Sequence, residues 1–350
     1  MISPFERIPT VPRYENIVNR VTLRYRKLVE SLRRKNVKLK DKEIKKLNLV
    51  YEILISSIRN IVEKLPYIDK VHPFYKDLLD VLIGYDNYKK AVVRLARAIK
   101  LIDKIYREYL NLIKVAEDPW EIRSLRKQGV GRMMSVLKRN RKYIDFLAEN
   151  IVKLKRIPSI DPEKPTIIVA GMPQVGKSTL VKRISTAKTE IASYPFTTKN
   201  LILGHIRVGH ELIQAIDTPG LLDRPLSERN PIELQAIMAL KHVKGIIIYL
   251  FDVSINSYYT VDEQINVLKD IMGSFDKEII VAINKIDDAD KNKINKVINE
   301  LNKIGFDTIF KISALKGIGV DELLKHALSK LLERSNANVK DSIENSRSRR

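Results

Sequence analysis

The chain has 350 residues, 64 Lys and Arg against 42 Asp and Glu, a formal net charge of +22 and no cysteine. That length allows two domains, each with its own core, and the missing thiols exclude disulfides, thiolate zinc sites and cysteine nucleophiles. No apolar run reaches the about 18 residues that cross a bilayer, and no charged-then-apolar leader opens the chain, so we expect neither a membrane-spanning nor a secreted protein.

The first half reads as helix. Ile17, Val21, Tyr25, Leu28 and Leu32 recur three and four apart, and so do Ile44, Leu47, Tyr51, Leu54, Ile58, Ile61 and Leu65. Leu95, Ile99, Ile102, Tyr106, Tyr109 and Ile113 repeat the pattern. Each set lays one apolar stripe along one helix face, which is a core pattern. Asp118-Pro119-Trp120-Glu121 reads as a helix start, with Asp118 as cap, Pro119 in the first turn and Glu121 as reciprocal partner. A long helix is expected from there toward Leu154, bent at Gly129 and Gly131. Pro158, Pro162 and Pro165 then mark a boundary, so residues 1–160 are expected to form an all-α bundle.

Charge divides the chain at the same place. Residues 1–160 carry 37 basic against 18 acidic side chains, a balance of +19, whereas residues 161–350 carry 27 against 24, only +3. Basic clusters lie at Arg24-Tyr25-Arg26-Lys27, Arg33-Arg34-Lys35, Arg123-Ser124-Leu125-Arg126-Lys127 and Lys138-Arg139-Asn140-Arg141-Lys142. One such cluster could be a solvated helix face. Their shared sign points to an anionic partner, and we expect structured RNA, held through phosphate and shape, rather than a membrane or DNA.

Residues 161–334 carry the chemistry. Thr166-Ile167-Ile168-Val169-Ala170 is a short buried-strand run, and a helical pattern begins after Ser178. Between them Gly171-Met172-Pro173-Gln174-Val175-Gly176-Lys177-Ser178 fits the phosphate-loop spacing G-x-x-x-x-G-K-[ST]. The glycines let backbone N–H groups face an anion, Lys177 reaches the β- and γ-phosphates, Ser178 ligates Mg²⁺, and Thr179 completes the loop's contacts. Further on, Tyr194-Pro195-Phe196-Thr197-Thr198 offers two adjacent hydroxyls, one of which would ligate Mg²⁺ when a γ-phosphate is present. His205 and His210 fit a hairpin better than a metal pair.

Three later strand ends select the nucleotide. Leu212–Ile216 runs into Asp217-Thr218-Pro219-Gly220: Asp217 can hold the Mg²⁺ shell, and Gly220 can bring its N–H to a γ-phosphate. Ile279–Ile283 runs into Asn284-Lys285-Ile286-Asp287, where Asp287 can accept both N–H donors of a guanine edge and Lys285 can lie along the base; adenine has no such donor pair. Phe310-Lys311-Ile312-Ser313-Ala314 ends in small residues, with Ser313 and Ala314 suited to backbone contact with the guanine oxygen. Four such segments in order on successive strand ends imply GTP and GDP as ligands. The expected fold is an α/β P-loop GTPase domain, a mostly parallel sheet flanked by helices, preceded by the helical bundle. After Gly220 comes Leu221, where Ras-like enzymes have a water-orienting Gln, so we expect slow unaided hydrolysis accelerated by a partner, with Lys177, Thr198 and Gly220 at the reacting phosphate. Residues 335–350 are polar, end in basic residues and are expected to be disordered.

With these residues in hand, the chain resembles the nucleolar GTP-binding protein 1 family, a branch of the Obg-like GTPases, in a short archaeal-type form. The likeness rests on His72-Pro73-Phe74-Tyr75-Lys76-Asp77-Leu78, Gly131-Arg132-Met133, Tyr194–Lys199 and Asp217-Thr218-Pro219-Gly220-Leu221-Leu222-Asp223-Arg224-Pro225. The resemblance favours Thr198 over Thr197 as the Mg²⁺ ligand. It implies a factor in large ribosomal subunit assembly, a monomer in the cytoplasm, whose helical domain lies against precursor rRNA. Related GTPases with Asn in the phosphate loop use K⁺; here the position is Gln174, which leaves potassium dependence open. The alternative is a protein-targeting GTPase of the signal-recognition type, but those carry Thr-Lys-x-Asp and Asp-Thr-Ala-Gly where this chain has Asn284-Lys285-Ile286-Asp287 and Asp217-Thr218-Pro219-Gly220.

Overall fold

The computed structural model describes residues 3–6, 8–34, 36–192, 194 and 200–347. They fall into two compact units: one holds residues 4–71 and 82–155, the other residues 1–3, 72–81 and 156 onward. Among the described residues no helix is long and apolar enough to cross a membrane.

The first unit is all helix: α1 (Tyr14–Arg33), α2 (Leu39–Lys64), the end of α3 (Pro73–Ile83), α4 (Tyr85–Val115), α5 (Pro119–Arg139) and α6 (Arg141–Leu154). The periodic stripes supply its core. Ile17, Val21, Leu47, Leu54, Ile58, Leu95, Ile102 and Ile113 are buried, while Tyr25, Tyr51 and Tyr106 sit half-buried at the stripe edges. Tyr51 and Tyr106 stack at 3.8 Å between ring centroids and turn their hydroxyls to Asp103 and Asn48, so amphipathic rings close the seam with a polar tip outward. Asp118 caps α5, its carboxylate accepting the Glu121 N–H at 2.6 Å, without the reciprocal bond expected from the Glu121 side chain. The helix expected to reach Leu154 continues unbroken through Gly129 and Gly131 and stops at Asn140, whose side chain donates to the Val136 carbonyl at 2.9 Å. Gly129 is instead a close-packing position: a Cβ there would lie 2.9 Å from the Tyr109 ring.

The second unit is built on a seven-stranded sheet of order β2-β3-β4-β1-β5-β6-β7. Its strands are β1 (Thr166–Ala170), β2 (Glu190–Ala192), β3 (Leu201–Val208), β4 (Glu211–Asp217), β5 (Gly245–Asp252), β6 (Ile279–Asn284) and β7 (Ile309–Lys311). All pairs from β4 to β7 are parallel, and only the β2–β3 and β3–β4 pairs run antiparallel. Parallel strands carry helices on both faces, which is why β1 is buried throughout and reads as an unbroken apolar run. The helices are α7 (Lys177–Ile184), α8 (Pro231–Met238), α9 (Val261–Ser274), α10 (Lys291–Ile304) and α11 (Val320–Arg347). His205 lies on β3 and His210 in the turn to β4, the hairpin expected.

Within the stretch expected to form the bundle, residues 72–81 pack with the second unit: Phe74 and Leu78 are fully buried, the Tyr75 hydroxyl donates to the Ile160 carbonyl at 2.6 Å, and Asp77 and Asp80 reach His242 and Gln235. Proline at the first position of α3 starts this helix early enough to present that face. The helix α11 runs through Arg347. Its sequence is polar but contains no Gly or Pro after Gly319 that would end the helix.

Candidate functional site

Parallel strands leave a crevice beyond their carboxyl ends, and the 171–178 loop, Asp217–Gly220, Asn284–Asp287 and Ser313–Ala314 follow the ends of β1, β4, β6 and β7. The 171–176 loop leaves β1 and closes on the first turn of α7. Gly171 has φ of 135° and Gly176 of 103°, and a Cβ at Gly176 would fall 2.3 Å from the Asn284 amide nitrogen, so neither tolerates a side chain. Gln174 is also left-handed, with φ of 64°, and it and Thr179 are exposed whereas Met172 and Val175 are buried. Lys177 folds back across the loop: its ammonium donates to the Gly171 and Met172 carbonyls at 2.7 and 2.9 Å.

Asp217, at the end of β4, is fully buried. One of its oxygens accepts the Ser178 hydroxyl, and the other has no hydrogen-bond partner among the described residues. Burial raises its carboxyl above the usual range, against the Ser178 hydrogen bond and the Lys177 charge. A buried carboxylate oxygen left unpaired beside a serine hydroxyl is the donor set that a hard divalent cation takes, so these residues fit Mg²⁺. Thr198, the third expected ligand, and Thr197 lie outside the described residues, and of that segment the structure describes only Tyr194, whose hydroxyl donates to the Ala236 carbonyl at 2.8 Å.

The next turn holds a cluster that sequence reasoning missed. Thr218 donates to the Val169 carbonyl at 2.8 Å, tying this turn to β1. Gly220 donates its N–H to Asp223 at 2.6 Å. Arg229 donates to the other Asp223 oxygen at 2.9 Å and to the Gly220 and Leu221 carbonyls at 2.7 and 2.9 Å. Burial lowers the Arg229 guanidinium below its ordinary value. Leu221 is 2% exposed, so its side chain is core and does not face the crevice. Asp223 was visible only as one letter of a family word, and Arg229 had no signal at all.

At the far side Asn284 bridges two loops. Its amide nitrogen donates to the Val175 carbonyl at 2.7 Å, and its oxygen accepts the Ala314 N–H at 2.9 Å. Lys285 is left-handed, with φ of 62°, and its ammonium pairs with Asp252 at 2.6 Å. Asp252 is in turn held by the Ser254 N–H and hydroxyl. A hydrogen bond from Ser313, with Lys316 3.5 Å away, keeps the Asp287 carboxyl below the usual range. The residues that would meet a phosphate and those that would meet a base are thus joined through one asparagine.

A family model for the NOG1 N-terminal helical domain matches residues 5–161, and one for nucleolar GTP-binding protein 1 (NOG1) matches residues 231–287. The chain belongs to the nucleolar GTP-binding protein 1 family. It is a GTP-binding protein, and its second unit is a GTPase domain. It is 38% identical over 296 residues to an uncharacterized protein of Methanocaldococcus jannaschii, covering 83% of each chain. It is 36% identical to nucleolar GTP-binding protein 1 of Drosophila melanogaster over 79% of this chain, and it spans 43% of that protein's length. A solved Plasmodium falciparum nucleolar GTP-binding protein 1 is 34% identical and covers 55% of this chain and 100% of its own, with a TM-score of 0.47.

Proposed function

We propose that the protein is a GTP-hydrolysing switch in large ribosomal subunit assembly, docking on precursor rRNA through its helical unit. The observation that carries the nucleotide reading is the convergence of the 171–178 loop, Asp217, Gly220, Asn284, Asp287 and Ala314 at the carboxyl ends of β1, β4, β6 and β7. In this reading the loop amides and Lys177 hold the β- and γ-phosphates, and Gly220 turns its N–H to the γ-phosphate. Asp287 accepts the guanine N–H pair, Lys285 flanks the base, and the Ser313–Ala314 backbone meets the guanine oxygen. Ser178, Asp217 and Thr198 hold Mg²⁺, which when bound supplies positive charge against the phosphate oxygens. With Leu221 packed in the core, no side chain at that position orients the attacking water. Unaided turnover is therefore expected to be slow, about 10⁻⁴–10⁻² s⁻¹, and to rise when the partner docks.

The helical unit supports the second half of the reading. Arg94, Arg97, Arg139 and Lys142 line one groove with Tyr143, and all four cations are exposed. Arg94, Arg97 and Arg139 have no ion pair among the described residues, whereas Arg126, Arg132 and Arg141 are committed to Glu43, Glu108 and Glu15. A groove of unspent guanidinium groups beside an aromatic ring fits a phosphate backbone better than it fits solvent alone. Co-sedimentation with large-subunit precursor particles tests this. The protein loaded with a non-hydrolysable GTP analogue should migrate with the particles in a salt-sensitive way, and the GDP form should not. Equal migration of both forms would refute the switch, and Lys177→Ala, which removes tight GTP binding, should behave as the GDP form.

A further inference from the structure

The Asp223–Arg229 pair lies beside Gly220 and the phosphate loop and has no role in the proposed function. The Gly220 amide, assigned there to the γ-phosphate, is already engaged, donating to one Asp223 oxygen at 2.6 Å. The other oxygen accepts from Arg229 at 2.9 Å. The two side chains are 8% and 3% exposed, so this is a nearly desolvated pair. Met172, Pro173, Gly220, Asp223 and Arg229 border one open cavity, which begins at the phosphate loop. The same turn is fastened to that loop, since Leu222 accepts the Gly171 N–H at 3.0 Å.

We propose that Asp223 is a built-in competitor of the γ-phosphate for the Gly220 amide and sets how strongly the protein discriminates GTP from GDP. The proposal rests on the assignment of Gly220 to the γ-phosphate. One N–H cannot serve two anions at full strength, and a carboxylate and a phosphate brought together in a partly desolvated site repel each other. GTP must therefore displace Asp223, whereas GDP has no group that reaches Gly220 and leaves the pair intact. Arg229 couples the exchange to the rest of the loop. It also donates to the Gly220 and Leu221 carbonyls, so a carboxylate that moves away either takes the guanidinium along or leaves it on those carbonyls. Arg229 immediately precedes Asn230, the cap of α8, whose side chain accepts the Glu233 N–H at 2.8 Å. Release of Asp223 thus reports the third phosphate to the start of a helix.

The test uses the full chain and fluorescent GDP and non-hydrolysable GTP analogues. Asp223→Ala should tighten binding of the GTP analogue about 10-fold relative to GDP, the scale of one hydrogen bond to a charged group, with GDP affinity within about twofold of wild type. Asp223→Asn keeps an acceptor for Arg229 but no charge, guards against misfolding of the alanine variant, and should shift the ratio in the same direction by about threefold. An unchanged ratio, or weaker binding of the GTP analogue relative to GDP, would overturn the proposal. So would an equal loss for both nucleotides with a lower unfolding temperature, because the pair would then only fold the loop. Failure of the wild-type chain to bind either nucleotide would instead refute the site reading itself.

Discussion

The two units differ in which buried groups they leave without a partner. In the helical unit Glu43 is buried, and its carboxylate is fully engaged by Lys46 at 2.5 Å and Arg126 at 2.7 Å; among the described residues the unpartnered buried side-chain atom there is a neutral hydroxyl, that of Ser57. In the nucleotide unit, among the described residues, the unpartnered buried side-chain atoms are an oxygen of Asp217 and a nitrogen of Arg229. Leaving a buried ionised group unsatisfied costs about 1–3 kcal/mol or more, so such atoms persist where something outside the resting structure completes them. A satisfied buried ion cluster orders a bundle. An unsatisfied one waits for a ligand, and the contrast separates scaffold from site without any motif.

The largest effect expected on the site side is a change of base. Asp287→Asn replaces the acceptor of the guanine N–H pair by an amide that matches xanthine, whose C2 oxygen stands in for the amino group. Competition between GTP and xanthosine triphosphate should shift toward xanthine by about 10³-fold or more, because a site built for hydrogen bonds rejects the analogue that leaves them unpaired. An unchanged preference would remove Asp287 from base recognition and leave its Ser313 hydrogen bond as a loop support only. Helical stability should not respond to this substitution.

The next effect lies on the scaffold side. Removing the Glu43 charge leaves Lys46 and Arg126 without their shared partner, and Glu43→Gln should lower stability by about 2 kcal/mol in denaturant unfolding, less than a fully buried pair because both cations retain some exposure to water. Burial alone would raise the Glu43 carboxyl, but hydrogen bonds and charge from Lys46 and Arg126 hold it below its ordinary value of 4.5. The folded state therefore binds this proton less readily than the unfolded chain. Its contribution is present above pH 4.5 and is lost as pH falls through the depressed folded value. Glu43→Gln should remove that part of the acid limb of the stability curve; an identical limb in both proteins would place the acid sensitivity elsewhere.

How much of this was legible in the sequence follows the same division. The phosphate loop, Asp217, Gly220 and Asn284-Lys285-Ile286-Asp287 could be read because their chemistry fixes spacing along a short stretch of chain. The helices could be read because burial fixes a period of about 3.6 residues. What could not be read is long-range or geometric. Glu43 and Arg126 are 83 residues apart, Lys285 finds Asp252 across two strands, and residues 72–81 join the second unit although they interrupt the first. Gly129 and Gly131 look alike in sequence, yet a side chain at the first would strike Tyr109 and one at the second would meet nothing. The Asp223–Arg229 pair was hidden because an ion pair six residues apart in a turn has no period and no motif.

The smallest effect expected is also the one that joins the comparison to function. If the helical unit grips RNA through its uncommitted cations, Arg94, Arg97 and Arg139 should matter and paired Arg132 should not. The triple change Arg94→Gln, Arg97→Gln, Arg139→Gln should weaken binding to rRNA about 10-fold at low ionic strength and reduce the steepness of the log-affinity against log-salt plot by about 2, roughly 0.7–0.9 for each phosphate that is no longer neutralised. Arg132→Gln removes a cation held by Glu108 at 3.0 Å and by the Tyr109 hydroxyl at 3.3 Å, so it should leave that slope unchanged. Equal slopes for the two variants would mean that RNA reads the unit's total charge and not this groove. A slope change in Arg132→Gln alone would mean that ion pairs seen in the resting protein open when RNA binds, and the division into committed and uncommitted cations would have to be redrawn.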